Sequence, residues 1–334
     1  MTAPARRTLL LAAAAAGLGL VGCTSDEGGK QPEASPGARS RSPAPSPSPT
    51  PTRSPLPSAS PWPLVRTEVE PQAKRSAVRL LEALGTWPAG QDGTGAARQR
   101  AEAQGVSAAA APGLVAQARP LLDAGTEATA RIIAAQYGGL LATRASVLVA
   151  VRQWGRGADG GVEAGGATVD VRLNRLPGGW VVGELYPSRP APPLARPGTL
   201  IEQVVSHDRI HLPPAAEADV RAGQLRPKPL RALLALAETY EIDVSVVHTG
   251  HPRNVFGTNR LSDHTRMRAF DVWAVDGRAV IDPETPDSLV DGFMRAAARA
   301  GAYNIGGPRL LGGGGFFSDR VHRDHLHIAF DSDT

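Results

Sequence analysis

The stretch DRVHRDHLHIAF, residues 319–330, gathers three of the eight histidines of the chain close to its end. They are His322, His325 and His327, and Asp324 lies between the first two. We interpret the end of this stretch as a strand. Because side chains two positions apart leave a strand on the same face, His325 and His327 are expected to face one cavity. Asp324 would face the other side unless the strand begins after it or bulges there.

A second histidine and an aspartate occur in SDHTRMRAFDVWAVDG, residues 262–277, where six residues separate His264 from Asp271 across a loop that leads into a strand. With His327 they give two imidazoles, one carboxylate and a fourth position for water, which is the ligand set of a catalytic zinc site. Nitrogen and oxygen donors suit Zn²⁺. One histidine on a strand is usually structural, and Asp271 could be a turn residue. The clustering of several candidates in one region favours the metal site.

The beginning of the chain, residues 1–23, has the anatomy of an export signal: a basic start, a short apolar run and small residues before Cys23. The apolar run is too short to span a bilayer comfortably. The residues LVGC, 20–23, resemble a bacterial lipobox, which implies a lipid on Cys23 and a location on the outer face of the cytoplasmic membrane. An incidental thiol in an ordinary signal peptide is the alternative. Arg6 and Arg7 leave general and twin-arginine export open.

Composition divides the rest of the chain into four parts. Residues 24–62 are rich in proline and serine and predict a disordered tether. Residues 63–186 predict an α+β domain, helices first and an antiparallel sheet afterwards, an order that resembles nuclear-transport-factor-like domains. This part has no histidine and no carboxylate cluster, so we interpret it as a spacer or binding domain. A proline-rich linker, 187–198, leads to a second α+β domain, 199–334, which holds every histidine.

Apolar spacing predicts the main elements of both domains. In the first domain we expect a helix over 71–84, and strands over 144–154, 167–176 and 180–185, the last two joined by a PGG turn. In the second we expect helices over 228–240 and 286–301, and strands over 242–247, 268–275 and 325–330.

Charge and cysteine content exclude several classes of protein. The formal net charge is only +4, and no basic stripe interleaved with aromatic residues is present, so nucleic acid is not an expected partner. The single cysteine excludes an internal disulfide, so packing alone must stabilise the folded part.

The pattern S-x-H-x6-D followed by H-x-H resembles the zinc peptidases of bacterial walls: D-alanyl-D-alanine carboxypeptidases, VanX-type dipeptidases and penicillin-insensitive murein endopeptidases. These share a fold with the signalling domain of Hedgehog. The resemblance covers about residues 225–330 and includes VVHTGHPR, residues 246–253. It implies a Hedgehog-like zinc domain in which His264, Asp271 and His327 bind Zn²⁺.

The resemblance also implies roles for residues around the metal. The first histidine of H-x-H, here His325, works beside the metal in the endopeptidase branch, whereas the carboxypeptidase branch places an acid where Asp324 stands. We prefer His325 as the base, with Asp324 as the second choice. Arg253 either clamps a substrate carboxylate or only ties down a loop. Met267 replaces a usual glycine, and its side chain is expected to narrow the cleft or displace His264.

Two functions follow from this interpretation. The first is a membrane-anchored zinc peptidase that hydrolyses amide bonds in the stem peptides of peptidoglycan, as a carboxypeptidase or an endopeptidase. The second is a module on the same fold that has lost turnover and binds wall peptides or a protein. The complete set of His264, Asp271, His327 and His325 favours the first function, and Met267 favours the second.

Overall fold

The computed structural model describes residues 54–332. The predicted signal, Cys23 and most of the predicted tether lie outside the described residues. Within 54–332, no helix is both long and apolar enough to cross a membrane. The described residues belong to one compact unit, inside which two hydrophobic cores form. The division into separate domains therefore stays a prediction.

The amino-terminal core forms between helices and a four-stranded antiparallel sheet of order β1-β2-β3-β4. The expected apolar face of the first helix, with Ala77, Leu81 and Leu84, is fully buried against it. The helix and the three predicted strands are confirmed, and β1 is an additional strand. The elements are α1 (Pro71–Gly85), α2 (Thr94–Ala103), α3 (Ala111–Gln117), α4 (Arg119–Leu122), β1 (Glu127–Leu140), β2 (Arg144–Arg156), β3 (Val162–Leu176) and β4 (Gly179–Pro187).

The carboxyl-terminal core surrounds a mixed sheet of order β10-β9-β11-β7-β6-β5, with β8 paired to β7. The predicted helices and strands of this region are confirmed, with ends shifted by up to three residues. The elements are α5 (Thr199–Val205), β5 (Ile210–His211), α6 (Pro214–Arg221), α7 (Pro227–Ala237), β6 (Ile242–Val246), β7 (Ala269–Val275), β8 (Arg278–Ala279), α8 (Asp287–Arg299), β9 (Asn304–Gly306), β10 (Phe316–Phe317) and β11 (Leu326–Ala329). Together the two cores give an α+β protein.

Two features of this architecture position the histidines. β11 pairs antiparallel with β7, and the register sets His327 directly opposite Asp271. A 3₁₀ turn, Val321–Arg323, precedes β11 and packs its Val321 against the amino-terminal core. Because β11 begins only at Leu326, the expected strand start at residue 325 is one position early. The loop that carries His325 therefore lies where α1 and β1 meet the second sheet.

Candidate metal centre

Three side chains bring their donor atoms together at the paired strands β7 and β11. His264 Nε2 lies 3.1 Å from Asp271 Oδ1 and 3.2 Å from His327 Nδ1. His327 Nδ1 lies 3.0 Å from the same Asp271 oxygen. Nitrogen and oxygen ligands about 2.0–2.2 Å from a tetrahedral Zn²⁺ stand about 3.3 Å apart, so this triangle has nearly the spacing of three metal ligands. The cluster can hold a metal ion.

The chain fixes each corner of this triangle by local structure. Asp271 and His327 are cross-strand neighbours, so the backbone ladder holds them side by side. His264 lies in the turn before β7, and its Nδ1 is 2.7 Å from the carbonyl oxygen of Val247. A carbonyl only accepts, so Nδ1 carries the proton and Nε2 is left with a lone pair towards the other two ligands.

The protonation of these groups suits metal binding. Burial opposes ionisation of Asp271, but the neighbouring His264 and His325 outweigh it and hold the pKa of Asp271 well below its usual value. Burial lowers the pKa of His327 to about 4, so this imidazole is neutral near pH 7. Burial also disfavours the charged form of His264, but Asp271 raises its pKa overall. A cation bound at the triangle would take the place of that proton.

A fourth imidazole, His251, lies against the triangle. Its ring stacks on His264 with 4.0 Å between centroids and 17° between planes, and burial lowers its pKa well below the usual value. One donor atom each from His251, His264 and Asp271 lie within 4.8 Å of one another, so these three also form a possible metal group. Lone pairs of nearly parallel rings point in parallel rather than towards one ion. The triangle with His327, whose ring is tilted by 53° to His264, converges better.

His325 occupies the wall of the same cavity, which has a volume of about 270 Å³ and is also lined by Asp271 and His327. Its Nδ1 lies 2.7 Å from Asp324 Oδ1. Burial disfavours the charged imidazole, but Asp271 and the hydrogen bond to Asp324 raise the pKa of His325 overall. Asp324 is buried behind His325, outside the cavity lining. This placement sets the imidazole of His325 at the cavity and the carboxylate of Asp324 behind it, where it can orient the ring.

Of the two roles considered for Arg253, clamping a carboxylate or tying down a loop, its position favours the second. Its side chain is exposed and lies outside the cavity lining, while its carbonyl oxygen accepts hydrogen bonds from Ser262 N at 3.0 Å and Thr265 Oγ1 at 2.6 Å. Its backbone ties down the loop. A different arginine, Arg260, lines the cavity, and the sequence analysis did not single it out. His322 also lines the cavity.

Met267 adopts a backbone φ of 60°, in the left-handed region that favours glycine. The turn needs this conformation, because it lets the next residue, Arg268, donate its backbone N–H to the carbonyl oxygen of Asp263 at 3.1 Å. The side chain lies outside the cavity lining, and His264 keeps its place in the triangle. The expectation that Met267 narrows the cleft or displaces His264 is therefore not supported, and the cost of the replacement is backbone strain.

The amino-terminal region also reaches the centre, which the sequence analysis did not foresee. Gln136 of β1 is 1% exposed and donates from Nε2 to Asp271 Oδ2 at 2.7 Å. Ser245 of β6 donates to the amide oxygen of Gln136 and fixes which way that amide points. Asp271 therefore turns one oxygen to the histidines and the other to a residue of the first sheet. An amide within a strand gives no sequence signal for such a role.

Comparison of the chain with protein-family models, with curated proteins and with solved structures finds no match. The chemistry assigned to the centre therefore depends on its own donor atoms, their burial and the cavity in front of them.

Proposed function

We propose that the protein is a zinc-dependent peptidase of the Hedgehog and D-alanyl-D-alanine peptidase type that hydrolyses amide bonds in peptidoglycan stem peptides. The observation that carries this proposal is the arrangement of His264, Asp271 and His327 with donor atoms 3.0–3.2 Å apart, beside a cavity that Asp271 and His327 line together with His325. A lipid on Cys23 would anchor the protein to the outer face of the cytoplasmic membrane, where this substrate lies.

The donor set supports zinc as the metal. Two imidazoles and one carboxylate, with room for a fourth ligand on the cavity side, are typical of catalytic Zn²⁺ sites. Zn²⁺ in such a site supplies Lewis acidity to an amide carbonyl and lowers the pKa of water. The hydrogen bonds from Gln136 to Asp271 and from His264 to Val247 are the outer contacts that hold such ligands in place.

The other residues of the cavity support hydrolysis of a peptide end. With Nδ1 held by Asp324, His325 presents Nε2 for proton transfer to or from a bound substrate. The guanidinium of Arg260 at the cavity wall suits a substrate carboxylate, the role first considered for Arg253. A cavity of about 270 Å³ suits a short peptide end better than a bulky cross-link.

The experiment that tests this proposal measures zinc content and hydrolysis together on the chain from residue 24 onwards. We expect one zinc per chain in the unaltered protein, loss of zinc and of hydrolysis in His327→Ala, and loss of hydrolysis with zinc retained in His325→Ala. The substrate is a stem pentapeptide ending in D-Ala-D-Ala. His211→Ala is the matched control, because this histidine is half-exposed and pairs with Glu241 instead.

Two results would contradict the proposal. A folded chain that takes up no zinc has no metal centre. A chain that binds zinc at the triangle but cleaves neither the pentapeptide nor cross-linked wall fragments is a binding module, the alternative considered from the sequence.

A further inference from the structure

Lys74, in helix α1 of the amino-terminal region, is buried against the loop of the carboxyl-terminal region that carries Asp324 and His325. Lys74 of α1 is 0% exposed, and its Nζ lies 2.7 Å from Asp324 Oδ2 and 2.5 Å from Glu68 Oε2. The same ammonium lies 4.4 Å from the centre of the Tyr137 ring. The contact between Lys74 and Asp324 joins residues 250 positions apart.

A buried lysine at this place is costly. Taking an ammonium out of water costs several kcal/mol even when a carboxylate pairs with it. Lys74 lies on the same face of α1 as Ala77 and Leu81, where an apolar side chain would complete the core. Glu68 alone would already neutralise it. The additional contact between Lys74 and Asp324 therefore points to a role for the lysine in the carboxyl-terminal region.

Asp324 divides its two oxygens between the two regions. Oδ2 accepts from Lys74 Nζ and, at 3.0 Å, from the backbone N–H of Tyr137. Oδ1 lies 2.7 Å from His325 Nδ1. An ionised carboxylate only accepts, so it keeps the imidazole proton on Nδ1, whereas a neutral carboxyl could donate to Nδ1 and reverse the tautomer.

We propose that Lys74 is a positioning residue for the cavity histidine: it holds Asp324 as an oriented carboxylate, so that His325 keeps its proton on Nδ1 and presents Nε2 to the cavity. The charges agree with this role. Burial opposes ionisation of Asp324, but Lys74 and His325 outweigh it, and the pKa of Asp324 lies below its usual value. The first region is then part of the site, and the carboxyl-terminal region alone lacks the group that sets its histidine.

The catalytic consequence rests on the proposed function, whereas the tautomer of His325 does not. The experiment therefore records ¹⁵N spectra of histidine side chains in the zinc-loaded full chain, with His325 assigned through His325→Gln. We expect Nδ1–H in the unaltered protein and a mixture or reversal of tautomers in Lys74→Met. Zinc content should stay the same, and kcat should fall about 10- to 100-fold with KM changed less than about threefold.

Arg75→Met is the matched control, because it removes a positive charge from the next position of α1, where the side chain is exposed. It should leave the tautomer and kcat unchanged. A folded Lys74→Met protein whose His325 keeps Nδ1–H and whose kcat is unchanged would overturn the proposal.

A second variant, Asp324→Asn, decides the question if Lys74→Met does not fold. Lys74 and the N–H of Tyr137 both require an acceptor, so the amide oxygen should turn to them and the NH₂ group to His325. The ring must then carry its proton on Nε2. Retention of Nδ1–H in Asp324→Asn would overturn the proposal. If the unaltered chain shows the expected tautomer but cleaves no peptide, the positioning role stands and the peptidase proposal alone fails.

Discussion

The carboxyl-terminal region and the amino-terminal region contribute different kinds of group to the candidate metal centre. The first supplies the clustered donor atoms of His264, Asp271 and His327, of which the last two residues line the cavity. The second supplies side chains that hold the carboxylates of the first region from behind. Gln136 donates to Asp271, and Lys74 donates to Asp324. A comparison of the two shows that clustered donor atoms and the groups that orient them lie in separate parts of one chain.

Asp271 and Asp324 each link a histidine to the amino-terminal region. Asp271 and Asp324 are both buried, and each turns one oxygen to a histidine and the other to the amino-terminal region. Neighbouring residues of β1 reach them, Gln136 through its side chain and Tyr137 through its backbone N–H. The bulge in β1 after Tyr137 lies where the strand passes the cavity.

The largest loss of stability is expected when the buried ammonium of Lys74, which lies between the two regions, is removed. Lys74→Met leaves Glu68 and Asp324 buried without their cation, so the free energy of unfolding should fall by about 3–5 kcal/mol. Urea unfolding of the full chain measures this, and Arg75→Met should stay within about 0.5 kcal/mol of the unaltered protein. A loss below about 1 kcal/mol for Lys74→Met would mean that the regions are not joined through this charge.

The next effect tests whether the first sheet orients the metal ligand. In Gln136→Leu, Asp271 Oδ2 loses its donor, and metal affinity should fall about 10- to 100-fold. A competition titration against a zinc chelator measures the change. Gln72→Leu, at an exposed position of α1, is the control. An unchanged affinity would show that the ladder between β7 and β11 alone suffices to orient Asp271.

The donor half of the centre could be predicted from the sequence because it depends on residue types with few other uses. Buried histidines and aspartates at H-x6-D and H-x-H spacing have a narrow range of explanations. The sequence predicts the two short apolar strands, but their pairing, which brings His327 to Asp271 56 positions away, is seen only in the structure. Of the two roles considered for Arg253, its exposed position fits the loop-tying role better than the clamping role, and Arg260 lines the cavity because of a loop whose course the sequence does not define.

The orienting half could not be predicted, for a physical reason. Gln136 and the Tyr137 N–H act through contacts between regions far apart in sequence, and β1 shows burial on both faces around these residues, which hides any alternation. Lys74 did leave a signal. It occurs on the apolar face of a helix that the sequence predicts well, three positions before Ala77, and a lysine there requires a buried partner.

The Asp319–His322 pair lies within the carboxyl-terminal region. We expect it to contribute less to the free energy of unfolding than the Lys74–Asp324 pair between the two regions. Burial opposes ionisation of Asp319, but the contact with His322 and two backbone N–H groups lower its pKa to about 2. A lowered pKa stabilises the fold above the unfolded value, about 3.9, and the gain is lost as the pH falls towards 2. Because the side chain is 50% exposed, we expect only about 1 kcal/mol.

Urea unfolding of Asp319→Asn between pH 6 and pH 3 checks this expectation. The difference from the unaltered protein should be constant above about pH 4.5 and should shrink below about pH 4, because the unfolded state then binds a proton that the folded state does not yet bind. A difference that persists at pH 3 would show that Asp319 acts through packing or through the turn rather than through its charge.

The smallest effect concerns strain inside the carboxyl-terminal region. At φ 60°, Met267 costs about 1–2 kcal/mol relative to an unstrained residue, while glycine at this position costs about 0.5–1 kcal/mol of unfolded-chain entropy. Met267→Gly should therefore raise the free energy of unfolding by about 0.5 kcal/mol and leave zinc affinity unchanged, since the turn bond to His264 is a backbone bond.

Asp276→Gly, at φ 51°, is the comparison. It should give no gain, because the Asp276 carboxylate accepts from the N–H of Glu241 at 2.8 Å. A loss of stability in Met267→Gly would show that packing of the thioether, rather than the backbone, governs this position.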